Sequence, residues 1–253
     1  MANPTGTSFN AGNKLGDGYV NGMQVAWAST TTLTIAAGSC LDSTKLSNIN
    51  FASAVTVNAA VVGANGIESD ALANSTWYYI HAIWNSLNPD NVQAGLISVS
   101  ATAPILPAGY DSFRLLDYQL TDGSALFLKN YNMGNSNLRQ KFWDSSIAVL
   151  TSGTATSLTA ISLASAIPPV NLLPVMIDVD YTPATANDKV SFAPFGSTAT
   201  VLPHIAGSVA AKINSGQLKI MSKLDTATPK ILYINSAASG DADVWVAGFE
   251  FSI

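Results

Sequence analysis

The sequence predicts an all-β fold, arranged as two antiparallel β-sandwich or jelly-roll-like domains over residues 1–137 and 138–253. Three observations predict it. Short runs rich in Val, Ile, Thr, Tyr, Phe and Trp, separated by clusters of Gly, Pro, Asn and Asp, replace any helical periodicity. Two longer stretches, Leu173–Tyr181 and Trp245–Ile253, alternate apolar and polar side chains with the two-residue period of a half-buried strand. Finally, a composition of 48% hydrophobic and 11% charged residues supports a packed core and argues against disorder.

In the N-terminal region, strands are expected at Tyr19–Ala26, Thr31–Ala36, Ala54–Asn58, Thr76–Trp84, Gln93–Ser100, Phe113–Leu120 and Ala125–Tyr131. The run from Thr76 to Trp84 is apolar or aromatic on both alternating faces, as a central strand covered on both sides requires. Gly134-Asn135-Ser136-Asn137 and the more charged Leu138–Asp144 mark the expected junction. Beyond it, strands are expected at Ser157–Leu163, Leu172–Tyr181, Lys189–Pro194, Ile205–Ala211, Gln217–Met221, Lys230–Asn235 and Val244–Phe251. Leu173, Val175, Ile177, Val179 and Tyr181 then share one face, opposite Asp178, Asp180 and Thr182. Trp245, Ala247, Phe249, Phe251 and Ile253 share another, opposite Glu250 and Ser252.

Residues Ser145–Ile177 carry no charge and have the length of a membrane span, but recurrent Ser and Thr with Pro168, Pro169 and Pro174 are incompatible with a spanning helix. The segment reads as strand, loop and strand, and no membrane span is expected. The start Met1-Ala2-Asn3-Pro4-Thr5-Gly6 has neither the basic beginning nor the apolar core of a secretory signal. Eleven Lys and Arg against sixteen Asp and Glu give a formal charge of −5, unsuited to a phosphate backbone, so nucleic acid is not an expected partner.

Candidate chemistry is sparse. Cys40 is the only cysteine, which excludes an intrachain disulfide and a Cys-rich zinc site and leaves a small buried thiol as the expected role. His81 falls in a strand as a packed, hydrogen-bonded core or interface residue, and His204 follows Pro203 in a loop. Neither belongs to a nucleophile motif, and neither H-E-x-x-H nor a Cys/His pair at ligand spacing is present, so no catalytic residue, metal or cofactor is expected. Asp178 with Asp180 and Asp241 with Asp243 have the spacing of a ligand or acid–base pair on a strand. The expectation is a solvated strand face for the first pair and, in Ser239–Asp243, a polar hairpin turn for the second. Gly12, Gly16, Gly18 and Gly22 fall at turns without the order of a phosphate loop. Asn74-Ser75-Thr76 matches a glycosylation sequon that matters only in a eukaryotic secreted protein.

Gly63–Glu68 followed by Leu72–Ile80, then Gly95–Ser100, Pro104–Tyr110 and Arg114, resembles a module found in many tailed-bacteriophage fibre and virion proteins. Leu33–Ser43 also fits, although that family often has a basic residue where Leu41 stands. The resemblance covers about residues 20–130. Phe195-Gly196-Ser197 and Ile205-Ala206-Gly207 are the nearest points to the β-rich domain that often accompanies the module.

The resemblance implies a non-enzymatic virion component, made in the bacterial host cytoplasm, often trimeric, and associated with other tail or capsid proteins. A tail-fibre, spike or head-fibre role is expected, with contact to a host-surface glycan or protein as a further task; Trp84, Tyr110, Trp143 and Trp245 are candidates for stacking on sugars but read first as core residues, and no binding site is named. The alternatives are a capsid decoration protein and a polysaccharide depolymerase. Low charge, abundant small residues and a positive mean hydropathy without a membrane span fit wide β interfaces between copies, hence a homo-oligomer.

Overall fold

A computed structural model describes residues 19–87, 93–134, 137–198 and 202–253. The expected signal-free start at Met1, the turns at Gly12, Gly16 and Gly18, and Asn135 and Ser136 of the expected junction lie outside the described residues. Among those described there is no helix, and the chain is all β.

The strands are β1 (Val20–Gly22), β2 (Val25–Ser29), β3 (Thr32–Ile35), β4 (Gly38–Leu41), β5 (Asn48–Phe51), β6 (Val55–Asn58), β7 (Gly66–Ile67), β8 (Trp77–Trp84), β9 (Ala94–Ser98) and β10 (Ser112–Leu120). They continue with β11 (Asn130–Gly134), β12 (Leu138–Gly153), β13 (Thr159–Ser162), β14 (Pro174–Thr182), β15 (Lys189–Pro194), β16 (His204–Ala206), β17 (Asn214–Met221), β18 (Lys223–Asp225), β19 (Thr228–Asn235) and β20 (Asp241–Ser252).

The N-terminal part centres on a four-stranded sheet, β10-β8-β9-β7, antiparallel except for the parallel β7–β9 pair. As its sequence requires, β8 has strands on both sides and is covered on both faces. Tyr78, Ile80 and Ala82 meet a core shared with two three-stranded sheets, β1-β4-β5 and β2-β3-β6, which contribute Val25, Leu33, Cys40, Ile49 and Val57. On the opposite face Tyr79 joins the core of the C-terminal part.

That C-terminal part is a jelly roll. One sheet runs β12-β20-β14-β17, extended by β11, and the other runs β13-β19-β15-β16, with β18 paired to β19. Apart from the β15–β16 and β18–β19 hairpins, successive strands cross between the sheets, as in a double Greek key. The inward side chains Val175, Ile177, Val179, Tyr181, Val244 and Val246 pack with Ile161, Val190, Phe192, Ile231 and Tyr233 of the facing sheet. Tyr79, Tyr118 and Leu120 enter the same core beside Phe249 and Phe251, and β11, from before the expected junction, hydrogen-bonds to β12 after it.

Several expectations are corrected by local chemistry. The continuous strand expected at Tyr19–Ala26 is broken at Met23, whose φ is 52°. Residues 125–129 form no strand. Asp122 accepts the backbone N–H of Ser124 and Leu126 at 2.8 and 3.0 Å, closing a turn and moving the strand to Asn130–Gly134. Asp241 and Asp243 lie in β20, and the turn before it is Ser236–Gly240.

The apolar face of β14 is as expected, but that of β20 changes side. Ile177 pairs with Val246 and Met176 with Gly248, so Ala247 is the extra residue of a β-bulge. Below it Phe249 and Phe251 point inward. Above it Val244 and Val246 do so, leaving Trp245 and Ala247 partly exposed. Glycine is required at the bulge, because a Cβ on Gly248 would lie 2.2 Å from the Lys141 carbonyl oxygen.

Candidate functional site

The cysteine and the two histidines singled out in the sequence do not converge. Cys40 is fully buried, and burial pushes its thiol up to about 12. His81 is also fully buried, with Nε2 2.9 Å from the Ser100 carbonyl and its ring edge-on to Phe113 at 5.6 Å. Removal from water lowers its pKa to about 4. Exposed His204 places Nδ1 3.2 Å from the Leu202 carbonyl.

The two aspartate pairs meet each other. Asp180 stands directly across from Asp243, and Asp178 across from Trp245, so all four carboxylates lie on the outer face of the β12-β20-β14-β17 sheet. Asp178 accepts Ser146 Oγ and Gln217 Nε2, both at 2.9 Å, while Asp243 accepts the Ser152 N–H at 2.8 Å. Among the described residues no group of three or more His, Cys, Asp or Glu is arranged to hold a metal ion.

Of the four aromatics named for sugar stacking, Trp143 is buried and donates Nε1 to the Ala166 carbonyl at 3.0 Å. Trp84, Tyr110 and Trp245 are partly exposed. A different pair is better presented. Tyr131 is 50% exposed on β11, and its hydroxyl donates to Asp144 Oδ1 at 2.5 Å. Lys129 bridges the same carboxylate at 2.9 Å and sits 5.3 Å from the Tyr131 ring centre and 5.9 Å from that of Trp27. These contacts hold the Lys129 ammonium above its usual pKa and the Asp144 carboxyl below its own, with the Tyr131 hydroxyl as first cause of both.

Tyr131 opens a wider apolar surface. Across the outer face of β11-β12-β20-β14-β17 and the loop before β14, Met133, Leu138, Leu172 and Met221 are also exposed. At its centre Glu250 accepts Gln140 Nε2 at 2.7 Å and pairs with Lys219, which holds its carboxyl below the usual range. A cleft of about 290 Å³ opens beside it, lined by Leu138, Val170, Leu172, Pro174, Glu250 and Ser252. Its wall includes Tyr118, whose hydroxyl burial pushes up to about 12. With Glu250 already ion-paired and Tyr118 neutral, this cleft suits apolar contact better than proton transfer at neutral pH.

Side-chain polarity is inverted behind this face. Arg139, Lys141 and Asn130 point into the protein, while Leu138, Tyr131 and Met133 point out. Arg139 donates to the carbonyls of Leu116 and Gly22 at 2.9 and 3.0 Å, and Lys141 reaches Asp117, Gln119 and Asn130. Asn132 bridges the Val25 carbonyl and Asp117 at 2.5 and 2.6 Å. This inversion hid the surface from hydrophobic patterning. The only sequence signal for it is the alternation of Asn130 and Asn132 with Tyr131 and Met133.

No protein-family model matches the chain, and no curated protein matches it. Solved structures with some likeness include Arthrobacter globiformis T6 isomalto-dextranase complexed with panose, 13% identical over 92% of this chain and 34% of that one, with a TM-score of 0.23. A Bacillus thuringiensis Cry1Da tryptic core variant is 9% identical over 91% of this chain and 50% of its own, with a TM-score of 0.22. The chain spans about a third of the first and half of the second, and likenesses at this level carry no argument about function.

Proposed function

We propose that this chain is a non-enzymatic structural protein of a bacteriophage particle, a tail-fibre, spike or head-fibre component that works as a homo-oligomer, trimeric by the family resemblance. The observation that carries the reading is the outer face of the β11-β12-β20-β14-β17 sheet. Four exposed large side chains, Met133, Leu138, Leu172 and Met221, surround an internally neutralised Glu250–Lys219 pair. Exposed apolar side chains grouped on one face mark a protein–protein contact more often than a solvated surface. A jelly roll is an architecture found in viral shells and lectins, an analogy of fold that adds to the sequence resemblance without specifying a role.

Replacing Leu138 and Leu172 together by Asp places two charges on this face. The reading expects light scattering to show loss of the oligomer with the circular dichroism of the sheets retained. An unchanged mass refutes the assignment of the face. Labelling the protein in purified particles locates it on tail or head, and a uniform coat over the capsid selects a decoration protein instead. Release of oligosaccharide from host capsule by the purified chain overturns the non-enzymatic reading.

For attachment to a host glycan, the Tyr131 ring beside that face is the best-suited surface, half exposed and flanked by the partly buried Trp27 and the Lys129–Asp144 ion pair. Loss of cell-surface binding in Tyr131→Ala, with Trp245→Ala unaffected, supports this placement; the reverse result moves the site to Trp245.

A further inference from the structure

Lys141, Asp117 and Arg139 are each 1% exposed or less, and Asn130 only 4%. Lys141 Nζ lies 3.0 Å from Asn130 Oδ1, 3.1 Å from Asp117 Oδ2 and 3.4 Å from Gln119 Oε1. Since a C=O bond is about 1.2 Å long, the amine nitrogen stands within roughly 4.2 Å of the Asn130 carboxamide carbon, close to the separation of about 3 to 3.5 Å from which bonds form. Asn130 Nδ2 is fixed by Gln119 Oε1 at 2.7 Å and the Leu128 carbonyl at 3.0 Å.

The charges here do not balance. Two buried cations, Lys141 and Arg139, face one carboxylate, Asp117, and the other acidic group acting on Arg139 is the Cys40 thiol, neutral because burial pushes it up to about 12. An excess buried positive charge is costly, and converting Lys141 to a neutral amide leaves Asp117 matched to Arg139. The surrounding exclusion of water both favours an uncharged amine and protects an amide from hydrolysis.

We propose that Lys141 and Asn130 join in an intramolecular amide cross-link between β11 and β12, with Asp117 carrying the proton. The Lys141 ammonium gives a proton to the Asp117 carboxylate, and the freed Nζ electron pair forms a bond to Asn130 Cγ. The Cγ–Nδ2 bond then breaks. One Nζ proton stays in the new amide N–H. The other two travel by way of Asp117 to the departing nitrogen, which leaves as ammonium, and Asp117 returns to its carboxylate. No electron is gained or lost, so no oxidant or co-reactant is needed.

The test is the intact mass of the purified full chain after prolonged incubation, followed by peptide fragmentation. The expected mass is lower than the sequence mass by one ammonia, and the expected fragment is a branched peptide joining Lys141 to Asn130. Lys141→Met and Asp117→Ala should restore the full mass. A wild-type chain at full mass overturns the proposal, and because that measurement needs no variant, misfolding of a mutant does not obscure it. Ammonia loss with a linear peptide, as in succinimide formation at Asn130, overturns it too, as does water loss with a link to Asp117.

Discussion

The indole of Trp77 lies edge-on to the ring of Phe249, with centroids 6.1 Å apart and planes at 79°. Trp77 opens the central strand of the N-terminal part and Phe249 follows the bulge in the last strand, so this contact couples sequence-distant halves through one core. Trp77 is only partly buried, so Trp77→Ala should cost less than the about 3 to 5 kcal/mol of deleting a fully buried aromatic, but clearly more than a surface change. Chemical denaturation should show that loss in probes of both parts together. Loss confined to the N-terminal part contradicts the coupling.

Removing residues 249–253 deletes Phe249 and Phe251, both inside the shared core, together with the β20 end that pairs with β12 and β14. Melting temperature should fall sharply in the truncated chain. Unchanged melting shows that the C-terminus is not locked into the sheet.

The folded protein holds the His81 ring neutral, since burial lowers its pKa from 6.5 to about 4, with the Ser100 carbonyl hydrogen bond and the Glu68 carboxylate opposing. Between those values the unfolded chain takes up a proton that the folded chain does not. Stability contributed by this difference is therefore full above about pH 6.5 and lost as pH falls towards 4, by up to about 3 kcal/mol. His81→Gln keeps an N–H donor near the same position without titrating. Denaturation at pH 7 and pH 5 should show a smaller loss in His81→Gln than in wild type; equal losses contradict a neutral buried ring.

Asp180 and Asp243 are direct cross-strand neighbours of like charge. Asp180→Asn should stabilise the protein by about 0.2 to 1 kcal/mol at low salt, with the gain shrinking as salt is added. A loss of stability indicates instead that the pair is held by an attraction, as a bound cation would supply.

Where burial follows hydrophobicity, the fold was legible. The two-faced aromatic strand at Trp77–Trp84, the inward row Val175–Tyr181 and the strand at Lys189–Pro194 lie where the sequence places them. Where burial opposes hydrophobicity it was not. In β12 Leu138 is exposed while Arg139 and Lys141 are buried, so the opening segment Leu138–Asp144 of a 16-residue strand read as a charged junction. At Ala247 one inserted residue exchanges the faces of β20, and no alternation rule shows a bulge before the partner strands are known. The surface built from Tyr131, Met133 and Leu138 was hidden for the same reason, because hydrophobic patterning does not mark apolar side chains that point outward.

Self-association through that surface is the claim on which the functional reading depends, and the mass of the purified chain in solution tests it most directly. Light scattering at micromolar concentration should give a multiple of the 26.3 kDa chain, a trimer in the reading proposed, that falls apart when Leu138 and Leu172 are replaced by Asp. A folded wild-type chain that stays at 26.3 kDa contradicts it.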